Sequence, residues 1–267
     1  MTDELRLVER LAARFGPLIG DDCAVVDGLL LAIDPVVEGV HFDERASAAD
    51  IGWNAVARNV SDVAAMGGRP RHALVSLVVP RRSAWDPDEV LDGVAEAATA
   101  LGLVVAGGDI AGGPALVVTV AITGAVDGLP VLRSGASAGD LLFVTGPLGA
   151  RDRRISPRVA EGEAARLGGA TAMIDLSDGL PLDLRRLATA SAVGADLDAV
   201  PVVEDGEWDD GDGYELLFAA PDHEAVVEAF ERAGLEPPID IGACTDAIDV
   251  LTLNGEDLPD GGWVHSF

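Results

Sequence analysis

The chain has 267 residues, of which 49% are hydrophobic and 24% charged, so it is long enough for one large domain or two smaller ones with hydrophobic cores. Acidic residues number 46 against 18 basic ones, all of them arginine, and the formal net charge is -28. This charge disfavours nucleic acid and anionic membranes as partners, because both would be repelled. The absence of lysine excludes a Walker-type phosphate loop and Schiff-base chemistry, since both require that residue.

The acidic residues are spread over the whole chain, as on the surfaces of proteins from salt-loving organisms. Salt would screen their mutual repulsion in the folded state. We therefore expect the thermal unfolding midpoint to rise with KCl concentration, which circular dichroism melts measure directly. A midpoint that does not change with KCl would contradict this interpretation.

The two cysteines, Cys23 and Cys244, are far apart in the chain, which suggests a reducing compartment and no disulfide framework. Residues 1–14 alternate charged side chains with apolar ones at helical spacing, unlike a signal peptide. No apolar run approaches the roughly 20 residues of a membrane span. We therefore expect a soluble, cytoplasmic protein.

Helices and strands alternate in the first half of the predicted structure. Asp27-Gly28 separates two short apolar runs and predicts a hairpin turn. Ser47 or Asp50 is expected to cap a helix that runs to about Met66. The other predicted elements are an opening helix, strands at 72–79, 104–106 and 116–123, and a helix that begins at 86–87 and ends at 102.

The segment 133–140 is small, polar and flexible, and it predicts a domain boundary, giving domains 1–137 and 138–267. Ser177 or Asp178 is expected to cap the helix that follows. The predicted elements of the second half are strands at 141–145, 172–175, 214–220 and 250–253 and helices at 157–167, 180–190 and 222–233.

Carboxylates recur where these predicted elements begin or end. Asp62 is an isolated charge in an apolar helix that stops at Gly67-Gly68. Gathered carboxylates repel one another unless hard cations compensate, and Mg²⁺ with phosphate oxygens is the usual partner. The pattern therefore predicts a metal and phosphate site. The carboxylates that form this pattern are Asp21-Asp22, Asp34, Asp62, Asp109, Asp175 and Asp178.

Each motif also has a purely structural interpretation. Gly107-Gly108-Asp109 lets a backbone approach a phosphate closely, but such a turn is common. The segment 174–180 places two carboxylates and a hydroxyl at a helix N-terminus, where they serve an anion site or only a cap. Similarly, His41 is either a substrate contact or an ordinary loop residue. Arg133 either binds a phosphate or forms a surface ion pair. Trp263 either stacks on an aromatic ring or packs the C-terminus against the core.

Taken in chain order, these motifs resemble the thiamine-monophosphate kinase family. That family shares a superfamily with aminoimidazole ribonucleotide synthetase, selenophosphate synthetase and a hydrogenase maturation factor. The segments that carry the resemblance are 20–24, 34–42, 59–67, 107–109, 133–135 and 174–180, and the likeness covers nearly the whole chain.

The resemblance implies an α/β (α+β), two-domain aminoimidazole ribonucleotide synthetase-like fold, whose N-terminal domains pair their β-sheets in a homodimer. It also implies Mg²⁺-assisted transfer of the ATP γ-phosphoryl group to thiamine monophosphate, which gives thiamine diphosphate. On this basis Mg²⁺ is held by Asp22, Asp34, Asp62, Asp109, Asp175 and Asp178, ATP by Gly108, Arg133 and Ser177, and the substrate by His41, Asp212 and Trp263.

The chain departs from the family pattern in three ways. Ala32-Ile33 stand where the family has a hydroxyl pair, so one metal would lose a ligand. The Gly-Gly-Glu-Asp-Tyr-Glu substrate motif corresponds to 210–215, with Asp212 in place of Glu. Two helical stretches of the family are missing, between Gly149 and Ser156 and between 201 and 210.

These departures keep two alternative functions open. One is an ATP-dependent enzyme of the same superfamily with a different small-molecule acceptor. The other is a paralogue that binds nucleotide and Mg²⁺ without catalysis. The intact carboxylates favour an enzyme, whereas the shortened second domain favours the binding module. A metal phosphatase is disfavoured, because no Asp-x-Asp turn follows a strand near the start.

Overall fold

The computed structural model describes residues 3–16, 18–150, 152–209 and 211–264, and it contains two mixed β-sheets. The first sheet has the strand order β1-β2-β5-β3-β4. Its strands are β1 (Ala24–Val26), β2 (Leu29–Val37), β3 (Arg69–Pro80), β4 (Val104–Gly113) and β5 (Val117–Ala125), and the helices of this half are α1 (Asp3–Phe15), α2 (Ala48–Ala65) and α3 (Pro87–Ala100).

Local signals in the sequence form the turns and caps that were predicted for this half. Asp27 and Gly28 both have positive φ and close the β1-β2 hairpin. The Ser47 hydroxyl accepts the amide N–H of Asp50 and caps α2, and Asp86 caps α3 in the same way. These predictions are therefore confirmed.

Strand β4 is longer than the sequence indicated. The prediction of a strand ending at Ala106 and a Gly-Gly-Asp turn was wrong, because Gly107, Gly108 and Asp109 continue the parallel pairing with β3. A bulge between Ala73 and Leu74 shifts the register at that point. Glycines are tolerated there because β4 lies at the edge of the sheet.

Helices α2 and α3 cover one face of this sheet, and glycines let them pack backbone to backbone. A Cβ atom added at Gly52 would lie 2.0 Å from the carbonyl oxygen of Val90, and one at Gly93 would lie 2.0 Å from that of Ala49. The opposite face of the sheet is uncovered, and it exposes apolar side chains including Ile33.

The close α2-α3 contact gives a stability prediction. We expect Gly52→Ala to lower the free energy of unfolding by about 1–3 kcal/mol, because the added methyl group forces the helices apart. Urea denaturation measures the change. Gly112→Ala is the control, since no atom lies within 4 Å of a Cβ added there. Equal effects of the two substitutions would contradict the steric explanation.

The second sheet has the strand order β12-β11-β8-β10-β6-β9-β7 and helices on both faces. Its strands are β6 (Leu141–Val144), β7 (Ala172–Asp175), β8 (Gly194–Leu197), β9 (Leu216–Ala220), β10 (Ile239–Thr245), β11 (Leu251–Leu253) and β12 (Glu256–Asp257), and its helices are α4 (Val159–Leu167), α5 (Leu180–Ser191) and α6 (His223–Ala233).

The start of α5 differs from the prediction. Neither Ser177 nor Asp178 caps this helix, whose N-cap residue is Gly179. Instead Asp183, inside the helix, accepts the amide N–H groups of Asp178 and Gly179 at 3.0 and 3.1 Å. The prediction of a Ser or Asp cap was therefore wrong, and the side chain of Ser177 is not used as the cap.

The two halves of the chain meet where α2 packs against α4. A Cβ atom added at Gly162 would lie 2.1 Å from the carbonyl oxygen of Ala64, so the helix backbones are in contact. Arg69 of β3 also pairs with Glu163 of α4 at 2.5 Å. The proposed boundary at 137/138 falls between the two sheets. Among the described residues, no helix has the length and apolar character needed to cross a bilayer.

Candidate metal and phosphate site

Three of the predicted metal ligands converge at the junction of the two halves. Asp22 precedes β1, Asp62 lies in the last turn of α2, and Asp175 ends β7. Carboxylate oxygens of the three residues all lie within 4.8 Å of one another. Hard oxygen donors at this spacing suit Mg²⁺, so the donor set fits the predicted ion.

The electrostatics of this carboxylate triad, Asp22, Asp62 and Asp175, favour a bound cation. Burial raises the pKa of Asp62 well above its ordinary value, and the charges of Asp175, Asp34 and Asp22 raise it further. Burial and the charge of Asp22 likewise raise the pKa of Asp175. Without a cation, ionising the whole triad is unfavourable.

Arg133 provides a positive charge on one side of the triad. Its guanidinium donates to both oxygens of Asp22, from Nε at 3.2 Å and from a terminal nitrogen at 2.7 Å. Its backbone N–H donates to the carboxylate of Asp21. Burial and the neighbouring charge of Asp22 raise the pKa of Asp21 to about 6. Arg133 is thus fixed by a bidentate ion pair in the junction, not at the outer surface.

Two polar side chains of α2, within the segment 59–67, orient the site, and no role was predicted for either of them. The Ser61 hydroxyl donates to Asp175 at 2.6 Å. The Asn59 side-chain oxygen accepts the backbone N–H of Asp34 at 2.9 Å and thereby fixes β2 to the helix. The signal that could have found them is their position, since both are polar residues within one turn of Asp62 in an apolar stretch. In the structure both are fully buried, so their polar groups need partners.

The other predicted ligands lie at different distances from the triad. Asp34 is near enough for its charge to raise the pKa of Asp62. Asp178 is held by Arg186, whose terminal nitrogen donates to it at 2.6 Å. Asp109 is exposed on β4, and β5 and β3 separate that strand from the Asp34 strand. A metal role for each of the six aspartates stays a prediction.

Two of the three predicted substrate residues bond to the backbone of the 176–179 turn. The backbone N–H of Asp212 donates to the carbonyl of Ser177, and that of Trp263 to the carbonyl of Asp178. His41 lies after β2, where its Nδ1 accepts the backbone N–H of Val37 at 3.1 Å. Position 210 of the altered motif lies outside the described residues. Two chain segments therefore place Asp212 and Trp263 at the turn that follows Asp175.

The raised pKa values predict how pH affects the metal-free protein. The folded state binds more protons than the unfolded state above the ordinary pKa of 3.8, so stability falls as pH rises toward the raised values of Asp62 and Asp175. We expect the unfolding midpoint in EDTA to be lower at about pH 8 than at about pH 5. Mg²⁺ should remove or reverse this trend. The same slope with and without Mg²⁺ would contradict the prediction.

Comparison with known proteins supports the resemblance found in the sequence. Residues 20–126 match the family described as AIR synthase related protein, N-terminal domain. The thiamine-monophosphate kinase of Rhodopirellula baltica is 38% identical over 251 residues, with 79% of this chain and 78% of the relative covered. That of Halobacterium salinarum is 34% identical, with 98% of each chain covered.

Solved structures agree with these sequence matches. AaThiL complexed with AMPPCP and TMP superimposes with a TM-score of 0.86 at 27% identity, covering 98% of this chain and 97% of that one. The thiamine-monophosphate kinase of Stenotrophomonas maltophilia gives a TM-score of 0.77 at 30% identity, covering 96% and 98%. The predicted fold class is therefore confirmed. From its sequence relatives and its fold together, this chain belongs to the thiamine-monophosphate kinase family.

Proposed function

We propose that this protein transfers the γ-phosphoryl group of ATP to thiamine monophosphate, forming thiamine diphosphate. The observation that carries the proposal is the buried triad of Asp22, Asp62 and Asp175, clamped by Arg133, in a chain of this family. Direct phosphoryl transfer asks the protein for positioning and charge neutralisation more than for a covalent nucleophile. The carboxylates and Arg133 of this site can provide both positioning and charge neutralisation.

Mg²⁺ is the proposed cofactor, because the triad offers only carboxylate oxygens. Asp22, Asp62 and Asp175 would hold it, with Asp34 and Asp178 at the margin of the same junction. When bound, Mg²⁺ neutralises phosphate oxygens and lets two anionic substrates meet. The chain itself orients the ligands, since Ser61 fixes Asp175 and Arg133 fixes Asp22.

Two ligands of a related protein support the proposed substrates. AaThiL was solved with AMPPCP, an ATP analogue, and with TMP, which corresponds to the acceptor proposed here. In this chain Gly108, Arg133 and Ser177 are the proposed contacts of ATP. Asp212 and Trp263, beside the 176–179 turn, are together with His41 the proposed contacts of thiamine monophosphate.

A homodimer is proposed from the uncovered face of the first sheet. Ile33, Leu74 and Val104 are 63%, 54% and 60% exposed there, an unusual amount of apolar surface for a sheet of a monomer. The edge strand β4 also has an unpaired side in the single chain. A second copy would cover the apolar face, and β4 with Gly108 and Asp109 would then lie at the interface.

The test is an assay of the purified protein with ATP, Mg²⁺ and thiamine monophosphate in molar KCl. Chromatography should detect thiamine diphosphate and ADP in equal amounts. ATP binding without either product would refute this kinase reaction. A screen of other phosphorylated acceptors would then test the related-enzyme alternative, which the substitution of Asp212 for Glu in the substrate motif favours. If no acceptor in the screen gives a product, the remaining alternative is a paralogue that binds nucleotide without catalysis.

A further inference from the structure

Arg58 is a buried cation in the junction that neither the motifs nor the metal triad explain. It lies on α2 four residues before Asp62, so the two side chains are neighbours on one face of the helix. Asn54 precedes it by the same step and bonds with Arg153 and Ile155. This face of α2 is therefore directed at the second half of the chain.

The surroundings of Arg58 connect the metal side of the junction with the substrate side. Its guanidinium donates to Asp212 at 2.5 Å and lies 5.5 Å from the centre of the Tyr214 ring. Burial disfavours its charge, yet Tyr214, Asp212, Asp34 and Asp178 act together to raise its pKa. Two of these neighbours are candidate metal ligands, and one is a candidate substrate contact.

The hydrogen bonding of Arg58 is incomplete. Within the described ranges 3–16, 18–150, 152–209 and 211–264, its Nε is the one buried side-chain nitrogen or oxygen without a hydrogen-bond partner. Buried donors are almost always paired, and exceptions are concentrated where function requires them. The side chain retains 14% of its surface exposed, and its partner Asp212 retains 60%. The ion pair can therefore yield to a ligand that arrives from solvent.

The loop opposite Arg58 is held in an unfavourable backbone conformation. Asp212 and Tyr214 both have positive φ, at 67° and 51°, which residues with side chains adopt rarely. Such strain persists where the surrounding structure enforces it, and it is concentrated at binding sites. Here the ion pair with Asp212 and the contact with the Tyr214 ring both come from Arg58, so this residue supports the loop in its present form.

We propose that Arg58 binds the phosphate group of the acceptor, with Asp212 as its partner when the site is free of substrate. This inference rests on the proposed function and deepens it. A guanidinium offers several donors in a planar fork that matches phosphate oxygens. It pairs with Asp212, and its charge interacts with those of Asp34 and Asp178. It therefore places a positive charge where two anionic phosphates would approach each other.

Calorimetric binding of thiamine monophosphate and of unphosphorylated thiamine tests the proposal in the intact protein. In the wild type, the phosphate should strengthen binding. We call the ratio of the affinity for thiamine monophosphate to that for thiamine the phosphate advantage. In Arg58→Gln this ratio should fall on the order of 10- to 100-fold, which corresponds to the loss of a charged hydrogen bond, while the affinity for thiamine changes little. Equal weakening of both ligands would indicate a structural role and overturn the proposal. Arg58→Lys should restore only part of the advantage.

Two further variants separate phosphate binding from neutralisation of Asp212. If Arg58 only neutralises that carboxylate, the double variant Arg58→Gln/Asp212→Asn will recover the lost phosphate advantage; under the proposal the loss persists. Arg69→Gln is the matched control, because it also removes an arginine that joins the two halves, in an exposed pair with Glu163. Arg69→Gln should leave the phosphate advantage unchanged. If it reduces that advantage as much as Arg58→Gln does, the proposal is overturned.

The binding assay needs no turnover, so it separates this proposal from the kinase reaction. An advantage that depends on Arg58, in a protein that forms no thiamine diphosphate, would refute the reaction and retain the phosphate site. Normal turnover in a protein whose preference for thiamine monophosphate over thiamine does not depend on Arg58 would support the kinase reaction and refute the phosphate site at Arg58. A wild type that binds thiamine monophosphate no better than thiamine would overturn the role of Arg58.

Discussion

Asp62→Asn is expected to reduce turnover roughly 100- to 1,000-fold, the range observed when one group that stabilises transition-state charge is removed. Asn keeps the size of Asp62 but brings no negative charge to the triad, so the cation is held less well. The same change removes the cost of burying a charge and the repulsion between carboxylates, which together raise the pKa of Asp62. In EDTA the variant should therefore unfold at the wild-type temperature or above it. Steady-state kinetics and melting curves with and without Mg²⁺ measure both effects.

The control for this experiment is Asp127→Asn, which removes an exposed charge after β5. It should leave turnover and the stabilisation by Mg²⁺ unchanged. In Asp62→Asn the stabilisation by Mg²⁺ should be strongly reduced. Near-normal turnover would show that Asp62 is not a ligand, and a large drop in stability in EDTA would contradict the repulsion that we infer.

Much of the fold could be predicted, because its signals are local. The turn at Asp27-Gly28, the cap at Ser47 and the strand that ends at Asp175 each depend on a few adjacent residues. Strands β8 and β10 were not predicted. The first is only Gly194–Leu197, and the second contains a bulge between Asp240 and Gly242, which interrupts the alternation that identifies a strand. Their pairing with distant strands determines their conformation.

The candidate site was predicted only in part, for a similar reason. Asp22, Asp62 and Asp175 lie within recognisable motifs, but their separation in the sequence gives no distance between them. Asp109 shows the limit, since its motif suggested a turn at the site and the structure places it in an exposed edge strand. Arg58 had no signal of its own, because its partner Asp212 belongs to the other half of the chain.

Arg133→Gln is expected to lower the free energy of unfolding by about 3–5 kcal/mol in the absence of Mg²⁺. The side chain of Asp22 is 0% exposed and has its bidentate partner in Arg133, so the substitution leaves a buried carboxylate without a compensating charge. Lysine should not substitute fully, since it cannot reproduce the two parallel hydrogen bonds. Urea denaturation measures the loss. Arg45→Gln, which removes an exposed pair with Asp43, should change stability by less than about 1 kcal/mol.

The cause of this destabilisation can be isolated by adding Asp22→Asn. If the uncompensated charge is responsible, the double variant Arg133→Gln/Asp22→Asn should recover most of the lost stability. It should not recover turnover, because both a proposed ATP contact and a proposed metal ligand are absent. Saturating Mg²⁺ should also reduce the destabilisation of Arg133→Gln, since the cation supplies positive charge to the same carboxylates. A loss of stability that neither Asp22→Asn nor Mg²⁺ reverses would mean that Arg133 acts by packing, and that the triad does not need its charge.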